Sequence, residues 1–359
     1  MKPGPEHGGN VYAAARESGR RVRDFIDFSA SINPLGPSPA ALRAVRVASS
    51  TIIHYPDPDC VEFRTALALR HGLRPEELLI GNGSTELIHL LPKVLRIGRA
   101  VIVGPAFSEY AKAVKASGGL VFPIHAKRSD GYRPPLAAAL AALVPSRADA
   151  IFLCNPNSPT GQGVRREAFK ALLRAAARRG VWVILDETFV EYCADRTVLT
   201  CVHRYSRLVV LRSFTKFYAL PGLRIGYLVA QEPVIQRLKK ELPPWSVNTL
   251  AQAAALAALK DRHHARRTLA FMNDERRRFA KSLTAISGVT VFPSAANFLL
   301  VELPPGRSGP EVAGILRRQG LLIRDCSRVP GLSQRTIRVA VRLPGQNDRL
   351  VRALRALIG

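Results

Sequence analysis

The stretch AIFLCNPNSPTGQGVRREAFKALLRAAARRGVWVILDETFVEY (150–192) decides the fold class. Its apolar runs AIFLC (150–154) and VWVIL (181–185) have the length of strands that are buried on both faces. Between them, apolar residues recur with helical spacing, at Phe169, Leu172, Leu173 and Ala176. Gly180 then stands where a helix usually ends. The segment therefore predicts a strand, a helix and a second strand.

The same alternation continues on both sides of this unit. Further short apolar runs are LLIG (78–81), AVIVG (100–104), LVVL (208–211) and IGYLVA (225–230). Runs of this length that are separated by helical patterns indicate a largely parallel sheet with helices on both faces. The sequence therefore predicts an α/β fold.

The pattern of strand-like and helical segments changes after about residue 243, which indicates a second, smaller domain. PPW (243–245) is followed by an alanine-rich stretch, a basic helical segment and the strand-like runs VTVF (289–292) and FLLVEL (298–303). A chain of 359 residues is also long for a single core. We expect an N-terminal arm with part of the small domain over 1–35, a large domain over 36–245, connecting helices over 246–284 and a small α+β domain over 285–359.

The net charge of +26, from 53 basic and 27 acidic residues, raises the possibility of a nucleic-acid partner. Basic residues concentrate in 260–281, where they alternate with the apolar Leu269, Phe271 and Phe279. This spacing favours the solvated face of an amphipathic helix over a nucleic-acid surface. We therefore expect no nucleic-acid partner, and a positive field would also attract anionic small substrates.

The cysteines and histidines indicate neither a disulfide framework nor a metal site. The five cysteines are scattered without C-x-x-C spacing. The neighbours His263 and His264 would point away from each other on a helix. No apolar run reaches membrane-spanning length, and MKPGPEHGGN (1–10) lacks the apolar core of a secretory signal. We expect reduced thiols, no metal, no membrane partner and a cytoplasmic location.

The segment GNGSTELI (81–88) follows a strand run and begins a helix. Small residues let the backbone approach an anion, and the free N–H groups of a helix start favour negative charge. A phosphate is expected there, on Gly83, Ser84 and Thr85. Two other interpretations stay open. One is a helix that Ser84 merely caps, and the other is a dinucleotide site, although Glu86 stands where that motif has its third glycine.

The segment SFTKFYALPGLRIGY (213–227) surrounds Lys216 with Ser213, Thr215 and Arg224. Two hydroxyls and a guanidinium suit a phosphate monoester, and Lys216 is free to form an imine. The spacing S-x-T-K-x7-R-x-G resembles the cofactor-attachment signature of the aspartate-aminotransferase family of pyridoxal-phosphate (PLP) enzymes. The resemblance implies fold type I, PLP as the cofactor, and Lys216 as the catalytic residue that binds it covalently.

Two segments of the stretch quoted first fit the same resemblance. CNPNSPTG (154–161) resembles the family's N-P-x-N-P-T-G turn, but Ser158 stands where the family has asparagine. The contact to the ring oxygen is therefore expected from Ser158 or from Asn157. Asp186 matches the acid that keeps the pyridine nitrogen protonated, so that the ring can act as an electron sink. Phe189 replaces a tyrosine of many members, so that tyrosine's contact to the ring oxygen is absent.

The resemblance also implies an aromatic contact and a dimer. Phe107, in PAFSEY (105–110), matches the aromatic residue that stacks on the cofactor. Tyr55, in HYPDPD (54–59), matches a tyrosine that family members contribute to the phosphate site of the neighbouring subunit. We therefore expect a homodimer in which Tyr55 is shared across the interface.

Within the family, the chain resembles the L-threonine-O-3-phosphate decarboxylases of cobalamin biosynthesis, with histidinol-phosphate aminotransferases as the nearest alternative. This resemblance is carried by HGGN (7–10), DFSASINPLG (27–36), YPDPD (55–59), PPWSVN (243–248), LLIRDCS (321–327) and IRVAVR (337–342). It implies a phosphorylated amino acid as substrate and Arg338 as the partner of its carboxylate. Arg324, His7 and the Gly8 backbone would meet its phosphate. Ser31 stands where the family contacts substrate through an asparagine.

The choice between decarboxylation and transamination depends on which bond at Cα stands perpendicular to the cofactor ring. Sequence patterns do not encode that angle. Decarboxylation is therefore what the resemblance implies, and an aminotransferase reaction remains the alternative.

Overall fold

A seven-stranded sheet forms the centre of this computed structural model, which describes residues 8–359. The strands within these residues are β1 (Ile26–Asp27), β2 (Leu78–Gly81), β3 (Arg99–Gly104), β4 (Leu120–His125), β5 (Ala150–Cys154), β6 (Trp182–Asp186), β7 (Leu208–Ser213), β8 (Gly226–Val229), β9 (Thr290–Val291), β10 (Phe298–Glu302), β11 (Leu321–Leu322), β12 (Arg324–Asp325) and β13 (Thr336–Ala340).

Twelve α-helices accompany these strands within the described residues. They are α1 (Val11–Ser18), α2 (Pro39–Ala48), α3 (Val61–His71), α4 (Ser84–Val94), α5 (Ser108–Ala116), α6 (Leu136–Ala142), α7 (Arg166–Arg178), α8 (Glu232–Lys239), α9 (Thr249–Lys260), α10 (Arg262–Thr284), α11 (Gly309–Arg318) and α12 (Pro344–Ile358). None of them is both long and apolar enough to cross a membrane.

The central sheet has the strand order β2-β8-β7-β6-β5-β3-β4, and only β8 runs antiparallel to its neighbours. Every residue of β5, β6 and β7 is buried, as expected for strands covered by helices on both faces. Helix α7 buries its predicted apolar positions Phe169, Leu172, Leu173 and Ala176. The predicted α/β fold with a mostly parallel sheet is confirmed.

Strand β4 is an element that the sequence patterns did not indicate. It lies at the edge of the sheet, pairs only with β3, and leaves all its residues partly or fully exposed. It also contains Pro123, which an edge strand tolerates because one side of its backbone has no partner. A short run with proline and without a buried face gives no strand signal.

A second, antiparallel sheet has the order β12-β13-β10-β9. The predicted runs VTVF and FLLVEL supply β9 and β10. Near it, β1 pairs in parallel with β11, so a segment close to the N-terminus joins the C-terminal part of the chain. The domain boundaries given above stay predictions.

Residues 26–33, which we call the bridging segment, connect this second sheet to the loop that carries Lys216. Three of its hydrogen bonds show the connection. They run from Ala340 N to Phe28 O (2.8 Å), from Asn297 Nδ2 to Ser31 O (2.9 Å) and from Asn33 N to Lys216 O (3.0 Å).

The basic segment near residue 270 forms the long helix α10. Its buried positions include Met272, Phe279 and Leu283, while most of its arginines are exposed. The amphipathic helix predicted from the spacing is therefore present, and part of the net positive charge lies on its solvated face.

Candidate active site

The predicted cofactor residues converge at the carboxyl ends of the parallel strands. Phe107 follows β3, Asn157 and Ser158 follow β5, Asp186 ends β6, and Ser213 ends β7. Because parallel strands end at the same edge of a sheet, this edge is where an α/β fold binds its ligands.

Lys216 lies in the loop after β7 and is partly buried. Burial lowers the pKa of its amine to about 8, and the nearby charges of Arg338 and Arg224 act in the same direction. An ordinary lysine is almost fully protonated near neutral pH, whereas this one has a sizeable neutral fraction. Only the neutral amine is a nucleophile, so Lys216 is suited to covalent chemistry.

The start of α4 and the loop after β7 form an anion cradle. Gly83 has a φ of +82°, and a Cβ there would lie 2.5 Å from Nη2 of Arg224. The hydroxyls of Ser213 and Thr215 are 2.9 Å apart. A Cβ on Gly226, the register partner of Ser213, would lie 2.6 Å from the Ser84 nitrogen. The predicted N–H groups, hydroxyls and guanidinium are thus brought together.

The cap of α4 differs from one of the interpretations left open by the sequence. Gly83 is the N-cap and Ser84 is the first helical residue, so a helix capped by the Ser84 side chain is ruled out. The reason is the positive φ at residue 83, which favours glycine. Ser84 and Thr85 therefore both lie in the first turn, where their N–H groups have no partner within the helix.

Asp186 is buried, and both of its carboxylate oxygens accept hydrogen bonds. Oδ2 accepts from the hydroxyl of Tyr110 (2.6 Å) and Oδ1 from the Thr188 nitrogen (2.8 Å). Burial raises the pKa of Asp186, while the bonds from Thr188 and Tyr110 and the charge of Lys216 lower it. A cationic ring nitrogen beside this carboxylate would offset its desolvation.

Tyr110 is a site residue that sequence reasoning missed. Its ring is fully buried, packs edge-on against Phe107 at 5.7 Å between centroids and stacks on Phe152. The only signal was its position three residues after Phe107, on the same face of α5. Its partner, Asp186, is 76 residues away, and such a pairing follows only from the fold.

The two candidates for the ring-oxygen contact are placed differently. Asn157 is buried, and its amide nitrogen donates to Pro105 O (2.9 Å) and to Thr160 Oγ1 (2.8 Å). Ser158 is partly exposed, and its hydroxyl accepts from Nη1 of Arg338 (3.0 Å). Asn157 therefore holds the turn in shape, and Ser158 faces the guanidinium.

Arg338, on β13, is held from several sides. In addition to the Ser158 bond, Nη2 donates to Ser29 O (3.0 Å), and the guanidinium lies over the Phe298 ring at 5.0 Å. Arg324, on β12, is its register partner on the neighbouring strand. Directly opposed residues of paired strands lie on the same face, so the two predicted arginines point to one side of the second sheet.

Ser31 and Gly8 both lie near Ser29, whose carbonyl accepts from Arg338. Ser31 is buried, and its hydroxyl has no hydrogen-bond partner among residues 8–359. Gly8 packs so closely that a Cβ would lie 2.2 Å from Ser29 O, and Gly9 N donates to Ser29 Oγ (2.8 Å). His7 lies outside the described residues.

Tyr55 lies on the surface with 79% of its area exposed, and it stacks on Trp245 at 4.6 Å. Ile52 and Ile53, just before it, and Val47 on α2 are exposed as well. A run of exposed apolar side chains is typical of an interaction surface.

Residues 23–354 match the family described as aminotransferase class I and II. The chain belongs to this family. It is 38% identical over 354 residues to a threonine-phosphate decarboxylase of Salmonella typhimurium, covering 98% of this chain and 96% of the relative. The family resemblance seen in the sequence is confirmed.

Solved structures agree with this membership. An L-threonine-O-3-phosphate decarboxylase from Porphyromonas gingivalis matches with a TM-score of 0.82 at 28% identity, over 92% of this chain and 98% of the other. A histidinol-phosphate aminotransferase from Sinorhizobium meliloti in complex with pyridoxal-5'-phosphate matches with a TM-score of 0.87 at 25% identity, over 100% and 98% of the two chains. The predicted fold type I of the class I and II aminotransferases is thereby confirmed.

Proposed function

We propose that the chain is a PLP-dependent carboxy-lyase. It would convert L-threonine O-3-phosphate to (R)-1-amino-2-propanol O-phosphate and CO2 in cobalamin biosynthesis. The observation that carries the proposal is the pairing of Arg324 and Arg338 on one face of the second sheet, with the charge of Arg338 close enough to Lys216 to affect it. Two guanidinium groups suit a substrate that has both a phosphate and a carboxylate. The threonine-phosphate decarboxylases among the relatives support the same choice.

The residues present fit PLP as the cofactor. The cradle of Gly83, Ser84, Thr85, Ser213, Thr215 and Arg224 would hold its phosphate, Asp186 its ring nitrogen, Phe107 its ring face, and Ser158 or Asn157 its ring oxygen. Lys216 would attach it covalently. When bound, PLP supplies the electron sink for breaking a bond at the substrate's Cα.

The chain's own residues would orient the substrate. Arg338 would bind the carboxylate, and its buried Nε has no hydrogen-bond partner among residues 8–359. Arg324, the Gly8 backbone and His7 would bind the phosphate, and Ser31 would stand at a further substrate contact. Because Ser158 and the Ser29 carbonyl fix the Arg338 guanidinium, the carboxylate would have one orientation. That orientation determines which bond at Cα breaks.

Lys216 would have a second task after CO2 leaves. The substrate carbon then needs a proton, and an amine with a pKa of about 8 can carry one at neutral pH. The same amine, once neutral, is ready to bind the cofactor again.

The alternative is an aminotransferase that acts on histidinol phosphate, because the solved structure of such an enzyme has the same fold. Histidinol phosphate has no carboxylate, so Arg338 would then bind the keto acid that takes up the amino group. Arg324 would still serve the phosphate.

A mass-resolved product assay separates these reactions. The PLP-loaded chain is incubated with phosphothreonine, with and without 2-oxoglutarate. We expect an aminopropanol phosphate and CO2 without any keto acid, and a strict requirement for 2-oxoglutarate would favour the aminotransferase instead. Arg324→Gln should raise the KM for phosphothreonine about tenfold or more. Arg352→Gln, an equal loss of charge at an exposed position of α12, should leave it unchanged.

We further propose a homodimer in which Tyr55 reaches the phosphate cradle of the neighbouring subunit. The exposure of Tyr55 and of the apolar Ile52 and Ile53 beside it supports such an interface. The cytoplasmic location stays a prediction from the sequence.

A further inference from the structure

A second cavity, of about 650 Å³, lies apart from the residues assigned to PLP and substrate. Its walls come from residues 161–165 after the β5 turn, from 192–196, from 293–295 and from helix α10. Four arginines line it, namely Arg133, Arg165, Arg196 and Arg276. The volume is typical of a small-molecule site.

These four arginines have no carboxylate within ion-pair distance in the part of the chain from residue 8 onward. Asp195 is the one acidic residue in the lining. Arg196 and Arg276 are partly buried. Burial lowers the pKa of Arg276, and the charge of Arg196 acts in the same direction. An anion between Arg196 and Arg276 would stabilise both guanidinium groups.

A buried hydroxyl in the wall also lacks a partner. Tyr192 is 5% exposed, and its hydroxyl makes no hydrogen bond with residues 8–359. Burying a hydroxyl without a partner costs free energy, so this part of the wall contains a polar group that the described residues leave unsatisfied.

The local backbone leaves room for one of the arginines. A Cβ on Gly163 would lie 2.0 Å from Nη1 of Arg196 and 3.2 Å from its Cδ. Any larger residue at 163 would therefore move Arg196 from its place on the cavity wall.

We propose that this cavity binds a small molecule that carries a phosphate group. Its charge favours phosphate, because several guanidinium groups can share the oxygens of one doubly charged anion. The cavity has room for an organic or second phosphate part beside one phosphate group. The site is separate from the phosphate cradle of the proposed cofactor and does not depend on the proposed reaction.

The cavity adjoins the active site through the turn that carries Ser158. Gly161 O accepts from Ala295 N (2.8 Å), and Gln162 Nε2 donates to Pro293 O (2.8 Å). Gly161, Gln162, Pro293 and Ala295 all line the cavity. A bound anion would therefore contact both segments of this junction, residues 161–162 and residues 293–295. Residues 161–162 end the turn that carries Ser158, so the anion would also contact that turn.

Calorimetric titration of the PLP-loaded chain with pyrophosphate tests the site. We expect binding that the double variant Arg196→Gln/Arg276→Gln weakens by about tenfold for each guanidinium removed. Arg174→Gln, an equal loss of charge at an exposed position of α7, should leave the affinity unchanged. Gly163→Ala, which keeps every charge, should also weaken binding because it displaces Arg196.

Several outcomes would overturn the proposal. They are the absence of binding at millimolar pyrophosphate, equal weakening in Arg174→Gln, and parent-like affinity in Gly163→Ala. The last variant decides the matter if the double variant does not fold. Tighter binding of citrate than of pyrophosphate would overturn the assignment to phosphate. Phosphothreonine turnover does not enter any of these outcomes, so the proposed reaction is tested independently.

Discussion

Gly83→Ala would test the anion cradle through two effects that can be separated. Gly83 has φ +82° and ψ 161°, a region that is almost exclusive to glycine, so the backbone strain costs about 1–3 kcal/mol. The new Cβ would also lie 2.5 Å from Nη2 of Arg224, which must withdraw. Losing one hydrogen bond to a charged group costs about 1.5–3 kcal/mol. The Kd for PLP should therefore rise about 10- to 100-fold.

Gly72→Ala is the matched control. Gly72 has a left-handed φ of +64°, and a Cβ there would meet nothing within 4 Å. It should lower the melting temperature through backbone strain alone, and PLP affinity should stay at the parent value. Affinity is measured by following cofactor absorbance during titration, and stability by thermal unfolding. If Gly83→Ala bound PLP as tightly as Gly72→Ala, the placement of the cofactor phosphate beside Arg224 would be wrong.

Three further predictions concern single groups. In the PLP-free chain, Lys216 should react with an amine-modifying reagent at a rate that rises as pH passes about 8, because burial lowers its pKa. A midpoint of the rate–pH curve above about 10 would contradict this. Tyr110→Phe removes a hydrogen-bond donor to the ionised Asp186, which raises the pKa of that carboxyl further. The acidic limb of the kcat–pH profile should therefore move to higher pH, and kcat should fall about tenfold. An unchanged profile would argue against pairing of Asp186 with the cofactor ring. Mixing Tyr55→Ala with Lys216→Ala chains should restore activity, since a mixed dimer has one site with both residues, and no recovery after subunit exchange would argue against a shared site.

The central sheet could be predicted from the sequence because its strands are buried on both faces. Uninterrupted apolar runs such as β5 and β6 leave few alternatives, and α7 shows its buried face by spacing alone. Strand β4 could not be found in this way. It is half exposed and contains Pro123, so its pairing depends on β3 and not on its own pattern.

The residues of the candidate site also divide into those that sequence motifs indicate and those that only the fold reveals. Lys216, Asp186 and the cradle residues lie in continuous motifs, so they could be named before the fold was known. Tyr110 could not, because the polar role of a buried aromatic residue depends on a carboxylate distant in sequence. The Ser158 turn gave two candidates, and only the bonds of Asn157 to Pro105 and Thr160, against that of Ser158 with Arg338, show how differently the two are placed.

The bridging segment, residues 26–33, makes one backbone amide informative about the whole enzyme. The amide hydrogen of Asn33 is bonded to the carbonyl of Lys216, so its exchange with deuterated water follows each opening of that junction. Exchange measured on a peptide covering this segment would therefore record, without any substitution, how firmly the lysine loop is held to the bridging segment during turnover.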